Sequence, residues 1–160
     1  MKKFCLLAIC SLALFVAAPQ APAQGGVKQG PDVVRDPDLE KDSLHNLEVA
    51  RQYFTLRKAY VAALQRCEEI IAGNPVFSKI DEALFIAGKS NLFLSEGKGK
   101  QKPSLYVRHE GGKTVQLTSE EFRDEARSYF SQLADSYPNS KFRAEALEDL
   151  RALGGPKAKQ

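Results

Sequence analysis

The stretch LADSYPNSKFRAEAL, residues 133–147, decides the fold because it repeats an earlier stretch, IAGNPVFSKIDEAL, residues 71–84. Pro75 and Pro138 lie 63 positions apart, and the triplet Glu-Ala-Leu follows each proline at the same distance. Proline interrupts a helix because it has no amide hydrogen to donate. Alanine-rich helices alone would not keep the proline and the triplet in one register. The sequence therefore predicts an internal repeat, in which a proline turn separates two helices.

Apolar residues spaced three to four positions apart predict five helices in all. These helices are expected over residues 42–57, 60–73, 79–95, 118–138 and 140–153. The face of the first helix that is expected in the core consists of Leu44, Leu47, Ala50 and Phe54. Thr118 and Glu121 form a capping-box pattern at the start of the fourth helix. Cys67 lies between apolar positions of the second helix, so we expect a buried thiol there.

Between Gly97 and Thr118 the apolar residues no longer follow the spacing of a helix. Apolar and polar residues alternate on both sides of Gly111-Gly112, which predicts a β-hairpin because glycine adopts the positive φ angles of a tight turn. Removing the 26 residues of this loop and hairpin shortens the repeat to 37 residues, the separation of Leu47 and Leu84. A period of this length is typical of helical solenoids.

The repeated residues resemble tetratricopeptide repeats (TPRs). The residues that carry this likeness are Leu47, Ala50, Tyr60, Ala63 and Pro75 in the first copy and Leu84, Ala87, Gly88, Ala126 and Pro138 in the second. The turn YPNSKFRAEAL is similar to the repeats of BamD-like outer-membrane assembly lipoproteins, and the resemblance covers residues 44–153. Arg51 and Asn91 depart from the small and aromatic residues usual in the family. The resemblance implies an all-α, TPR-like helical-hairpin solenoid of about two and a half repeats over residues 42–154, with the hairpin inserted at about 97–118.

The first residues, MKKFCLLAICSLALFVAAPQAPAQ, have the features of an export signal. Lys2 and Lys3 precede an apolar run, and Ala21-Pro22-Ala23 fits the pattern of a cleavage site. The run of about fifteen apolar residues is shorter than the roughly twenty that span a bilayer. We therefore expect a signal peptide at 1–23, a flexible leader at 24–41, a disordered tail at 155–160 and a periplasmic location. One alternative is an uncleaved N-terminal anchor. The other is a lipid on Cys10, although the residues before Cys10 do not match the small residues that precede a lipidated cysteine.

The charge balance and the motifs argue against several classes of function. Without the signal peptide, 21 basic residues face 20 acidic ones, so the net charge predicts no attraction to nucleic acid or to an anionic membrane. The two histidines, His45 and His109, lie on different predicted elements, and the sequence has no metal-binding or phosphate-binding motif. We therefore predict a non-catalytic protein that needs no metal and no cofactor.

The resemblance implies that the first helix of each pair lines a concave, partner-binding face. The residues expected on this face are His45, Gln52, Thr55, Glu82, Phe85 and Lys89. The partner that we predict is an extended or helical segment of another envelope protein, and peripheral association with the outer membrane is compatible with this role. The alternative is a structural subunit that forms homo-oligomers through its repeat ends. The apolar end of the third helix, Leu92-Phe93-Leu94, is expected either to be covered by the hairpin or to form an exposed patch.

The export prediction is tested by sequencing the N-terminus of the protein recovered from a bacterial host. We expect the chain to begin at Gln24, because cleavage follows Ala23. A chain that begins at Met1 would indicate a retained anchor. A chain that begins at a lipid-modified Cys10 would indicate a lipoprotein.

Overall fold

A computed structural model describes residues 34–156. The predicted signal peptide, residues 24–33 of the leader and residues 157–160 of the tail lie outside the described residues. The described part of the chain is mostly helical, with five α-helices and a two-stranded antiparallel sheet, as predicted. Its elements are α1 (Pro37–Arg51), a π-helical turn (Gln52–Arg57), α2 (Tyr60–Gly73), α3 (Ile80–Ser95), a 3-10 turn (Pro103–Leu105), β1 (Val107–Glu110), β2 (Lys113–Gln116), α4 (Ser119–Ser136) and α5 (Arg143–Ala152).

Helix α1 begins at Pro37, five residues before the predicted start at Asp42. The carboxylate of Asp36 accepts hydrogen bonds from the amides of Asp38 and Leu39, at 2.8 and 3.2 Å. Proline suits the first position of a helix because its missing amide hydrogen would have no partner there. The last residues of the predicted flexible leader are therefore helical.

One residue of α1 was assigned to the wrong side of the helix. Leu44 is 39% exposed, whereas its neighbour Ser43 is buried. The hydroxyl of Ser43 accepts a hydrogen bond from the side chain of Asn74, at 3.1 Å. Burial of a serine is tolerated when its hydroxyl is hydrogen-bonded, and this bond holds α1 against the turn that follows α2.

The two proline turns of the repeat have the same backbone hydrogen bonds. The donors of the first turn are the amides of Asn74, Phe77, Ile80 and Ala83, and those of the second are the amides of Tyr137, Ser140, Arg143 and Ala146. Each donor in the second turn lies 63 residues after its counterpart in the first turn. The carbonyl that accepts its hydrogen bond lies the same number of residues before the donor in both turns. The repeat seen in the sequence is thus also a repeat of backbone geometry.

Helix α3 forms the centre of the core, because it is buried on nearly all sides. Its buried residues include Ala83, Leu84, Ile86, Ala87 and Leu94. Cys67 of α2 is fully buried beside it, as predicted. Gly88 lets the ring of Phe130 on α4 lie directly against the backbone of α3. Small residues at a helix contact allow this close approach, and here they bring α3 and α4 together.

The predicted β-hairpin is present, with β1 and β2 joined at Gly111 and Gly112. Both glycines have positive φ angles, 56° and 78°, as a tight two-residue turn requires. The register pairs Val107 with Gln116 and Arg108 with Val115. Cross-strand partners share a face of the sheet, so Tyr106, Arg108 and Val115 face one way and Val107 the other.

The ends of the last two helices follow the sequence signals. The predicted capping box is formed: the amide of Glu121 donates to the hydroxyl of Thr118, and the amide of Thr118 donates to the Glu121 carboxylate at 2.7 Å. At the end of α5 the amides of Gly154 and Gly155 donate to the carbonyls of Arg151 and Leu150. This pair of bonds is a Schellman cap, which satisfies carbonyls that have no partner within the helix.

Substitution of Gly88 tests the close contact between α3 and α4. A Cβ atom at this position would lie 2.5 Å from Phe130 Cε1, so Gly88→Ala forces a buried ring to move. We expect a loss of about 1–3 kcal/mol in the free energy of unfolding, measured by urea denaturation. Gly73→Ala is the matched control, since a Cβ there has no heavy atom within 4 Å. That variant should be neutral or up to about 1 kcal/mol more stable, and equal destabilisation of both variants would contradict the assignment.

Candidate functional site

The structure divides the six residues of the predicted binding face into two groups. Those that remain exposed are His45, Gln52 and Thr55, on α1 and the π-helical turn. Those that take part in contacts with other helices are Glu82, Phe85 and Lys89, on α3. The six residues therefore do not form one open surface.

Phe85 belongs to the core, so the prediction that it lines an open groove is wrong. It is 8% exposed, and its ring stacks on that of Phe142 with a centroid distance of 4.9 Å. The ring of Phe130 lies on another side, at 6.4 Å. The reason is that Phe142, at the start of α5, covers the part of α3 that was expected to be free.

Each Glu-Ala-Leu triplet contributes a glutamate that pairs with an earlier helix. Glu82 forms two hydrogen bonds with Arg51 of α1, at 2.5 and 2.7 Å, and these bonds hold the pKa of Glu82 below its ordinary value. Glu145, the equivalent residue of the second copy, pairs with Lys89 of α3 at 2.9 Å. Arg51, which departs from the family pattern, therefore has a partner in this chain.

An open groove of about 560 Å³ lies where the C-terminal ends of α3 and α5 meet α4. Its apolar lining consists of Leu92, Phe93, Ala152 and Leu153. Arg127 of α4 closes one side, because its Nε donates to the carbonyl of Leu153 at 2.8 Å. The same guanidinium pairs with Asp124. Arg127 thus fixes the end of α5 against α4 and shapes the groove.

The rim of the groove is charged, with an excess of cations. The cations are Lys89, Lys98, Arg123 and Arg127, and the anions are Glu96 and Asp149. Lys89 pairs with Asp149 at 2.7 Å, and Lys98 pairs with Glu96 at the same distance. Arg123 and Arg127 both pair with Glu120 at 3.4 Å, so every cation of the rim has an acidic neighbour within the chain.

Phe93 was expected either to be covered by the hairpin or to belong to an exposed patch, and the structure leaves it partly open to the groove. Its ring stacks on Phe54 at 5.8 Å and lies 4.8 Å from the ring of Tyr60, so the end of the first helix pair covers one of its faces. The ammonium groups of Lys89 and Lys98 lie 6.0 and 5.6 Å from its centroid. Cations at these distances are attracted to the face of an aromatic ring. Phe93 is half-buried and forms part of the groove lining.

The hairpin lies on the face of α4 that is opposite the groove, and a cluster of polar side chains holds it there. The hydroxyl of Tyr106 donates to Glu68 of α2 at 2.7 Å, and that of Tyr129 lies 3.5 Å from the same oxygen. Arg108 pairs with Glu125 of α4 at 2.9 Å. This polar clasp joins the hairpin to two helices. Burial raises the pKa of Glu68, although Tyr106 and Arg108 act in the other direction.

The residues with catalytic potential are not brought together. His45 on α1 and His109 on β1 are both exposed, and the pKa of the Cys67 thiol is raised by burial. Within residues 34–156, no group of three or more His, Cys, Asp or Glu side chains is placed to hold a metal ion. No helix in this range is both long and apolar enough to cross a membrane.

Comparison of the chain with protein-family models, with curated proteins and with solved structures gives no match. The candidate site therefore depends on the geometry described above.

The sequence reasoning missed most of the groove. Arg123 and Arg127 lie four residues apart on the polar face of α4, a spacing that could have marked a basic stripe. Leu153 carried no such signal, because it becomes part of the groove only when α5 ends beside α4. Lys89 lines this groove, whereas it was predicted to lie on a different surface.

The buried carboxylate of Glu68 predicts a particular dependence of stability on pH. A carboxyl group whose pKa is raised on folding destabilises the folded state above its ordinary pKa of 4.5. The penalty is absent at lower pH and grows as the pH rises from 4.5 towards the raised value. Glu68→Gln removes the charge and keeps an oxygen acceptor for Tyr106. The variant should therefore gain stability over the wild type between pH 4 and pH 8, by on the order of 1 kcal/mol.

The measurement is urea denaturation at several pH values, with Glu69→Gln as the matched control. Glu69 is the next residue along α2, and its side chain is 51% exposed in a pair with Arg66. Its variant should follow the wild-type pH dependence. A Glu68→Gln curve parallel to the wild type would show that the carboxylate is not destabilised by burial.

Proposed function

We propose that the chain is a non-catalytic protein-binding scaffold, exported to the bacterial cell envelope and built from TPR-like helix pairs. The observation that carries this proposal is the open groove with an apolar lining and a cationic rim. Grooves between helices that combine these two features commonly receive an amphipathic segment of a partner.

A TPR-like arrangement is supported by two features that recur at the 63-residue offset. The proline turns share their backbone hydrogen bonds. The equivalent glutamates Glu82 and Glu145 link α1 to α3 and α3 to α5. Helices linked in this order form a series, and a stack of helix pairs presents such a series as one extended face.

The partner that fits the groove is a short helical or extended segment with an apolar anchor and acidic neighbours. The anchor would lie on Leu92 and Leu153, which are only half-buried in the free protein. Acidic groups would face Arg123 and Lys98, whose side chains remain 46% and 59% exposed. Exposed cations of this kind add specificity and speed of association more than affinity.

The resemblance to BamD-like proteins and the export signal extend the proposal to a cellular context. A scaffold of this kind in the envelope would take part in outer-membrane protein assembly. Its partners would then be other envelope proteins, and nucleic acid would not be among them.

A second candidate function is a structural subunit that self-associates through its repeat ends. Exposed leucines on the first helix favour it, since Leu39 and Leu44 are 45% and 39% exposed. The outer face of α5 carries Glu148 and Arg151 instead, which suits the polar end of a repeat stack. Self-association would therefore join α1 to α1, and light scattering would show a concentration-dependent dimer.

The proposal is tested by a photo-crosslinking amino acid at position 152 in living cells. Ala152 is exposed at the groove, and Ala144 offers a matched position because it is an exposed alanine nearer the start of α5. We expect crosslinked adducts with another protein from position 152 and none from 144.

A second variant links the adducts to the groove. Leu92→Gln combined with Leu153→Gln removes the apolar anchor, so adducts from position 152 should fall by about tenfold or more. Leu39→Gln combined with Leu44→Gln makes the same chemical change on α1 and should leave them unchanged. The proposal fails when position 152 yields no adduct, or when both pairs of substitutions act equally.

A further inference from the structure

A second surface, at the end of the molecule where α1 meets α2, combines exposed cations with one exposed leucine. We call this surface the basic end. It consists of Leu56, Arg57, Lys58, Lys98, Lys100 and Lys102, all of which are exposed. The proposed protein-binding function uses only Lys98 among them. Glu96 is the acidic residue beside this group, and it pairs with Lys98.

Two separate segments of the chain are held together to form the basic end. The amide of Lys100 donates to the carbonyl of Lys58 at 2.9 Å, which ties the loop after α3 to the turn before α2. Gln101 accepts a hydrogen bond from the amide of Ala62 at 3.0 Å. The lysines on the two segments are therefore fixed as one patch, although about forty residues separate them in sequence.

The charges of the chain are segregated in a way that the net charge hides. The basic end holds five cations, Arg57, Lys58, Lys98, Lys100 and Lys102, beside the anion Glu96, whereas the chain without its signal peptide has 21 basic and 20 acidic residues. The nearly neutral total predicted no attraction to an anionic surface. The local excess at the basic end reverses that expectation, because an exposed charge acts only within about a Debye length, ~10 Å at moderate salt.

Leu56 gives the basic end an apolar contact point. Its side chain is 77% exposed, and it lies in the π-helical turn Gln52–Arg57. Tyr53 and Phe54 of the same turn pack against the core. The turn thus buries its aromatic residues and presents an aliphatic one next to Arg57 and Lys58. Single π-helical turns are frequent at functional positions.

We propose that the basic end docks on the surface of an anionic lipid bilayer. The lysine ammonium groups lie at the level of the lipid phosphates, and Leu56 enters the boundary of the acyl chains. Basic residues near an anionic leaflet and an apolar side chain beside them are the two contributions that hold peripheral proteins on membranes. The basic end shares one residue, Lys98, with the rim of the groove.

The same observations favour a bilayer over a nucleic acid. Proteins that hold single-stranded nucleic acid without sequence preference stack bases on exposed aromatic rings. The rings of Phe54, Tyr60 and Phe93 pack on one another instead, and the Arg57 guanidinium lies over the ring of Tyr53, 5.4 Å from its centroid. An aliphatic side chain among flexible lysines has no base to stack on, whereas a fluid lipid interface accepts it without a matching shape.

The test is flotation of the protein without its signal peptide with vesicles. The vesicles are phosphatidylcholine with one third phosphatidylglycerol, and vesicles of phosphatidylcholine alone are the comparison. We expect binding only to the anionic vesicles and its loss between about 0.1 M and 1 M salt, where the Debye length falls from ~10 to ~3 Å.

Three sets of substitutions measure what the basic end contributes to vesicle binding. Lys58→Gln, Lys100→Gln and Lys102→Gln together should lower partitioning on the order of a hundredfold, because each charge contributes roughly fivefold. Lys41→Gln, Lys79→Gln and Lys141→Gln remove as many charges near the starts of α1, α3 and α5, and they should have little effect. Leu56→Ser should weaken binding about tenfold. Circular dichroism confirms that each variant is folded.

Several outcomes would overturn the proposal. They are equal binding to neutral and anionic vesicles, equal effects of the two lysine sets, no effect of Leu56→Ser, or tighter binding to a single-stranded oligonucleotide than to vesicles. Leu92→Gln with Leu153→Gln should leave vesicle binding unchanged. This control distinguishes a failure of the membrane proposal from a failure of the proposal that the groove binds a protein.

Discussion

The close approach of α3 and α4 at Gly88 is the contact on which the rest of the structure depends. Because Gly88 has no side chain, the ring of Phe130 reaches the backbone of α3 and excludes water from it. Helix α3 can then be covered by α2, α4 and the start of α5 at once. Two charged residues at the edges of this helix, Glu82 and Lys89, form ion pairs with α1 and α5. Packing and charge pairing thus define the same arrangement of helices.

Much of the fold could be predicted from the sequence because its signals are local. The glycine pair of the hairpin, the capping box at Thr118 and the proline turns each specify backbone geometry over a few residues. The start of α1 was placed too late because the cap at Asp36 lies in a stretch with few apolar residues. The error at Leu44 has a tertiary cause, since Asn74 from the following turn draws Ser43 inward.

The candidate site could be predicted only in part, because it depends on which helix ends meet. Phe85 and Lys89 lie four residues apart on α3 and were expected to share one open surface. Helix α5 covers Phe85 and leaves Lys89 at the edge of the groove, and nothing in the sequence indicates where α5 will lie. The basic end is only partly visible in the sequence, where three of its lysines lie in KGKQK, residues 98–102, a stretch more typical of a solvated loop than of a site for an anionic partner. Its lysines come from two segments that a backbone hydrogen bond joins, so neither segment alone shows the full excess of charge.

The polar clasp has a mechanical consequence for the whole molecule. A stack of helices in which each helix contacts only its neighbours can change its curvature, because each interface between helices can shift slightly. Here the hairpin is bonded to Glu68 on α2 and to Glu125 on α4, so it links these two helices. The hairpin therefore resists the separation of α2 and α4 on the side where it lies. The groove on the other side of α4 should accordingly keep a nearly constant shape, and the partner that we propose would be selected by its fit to rigid walls.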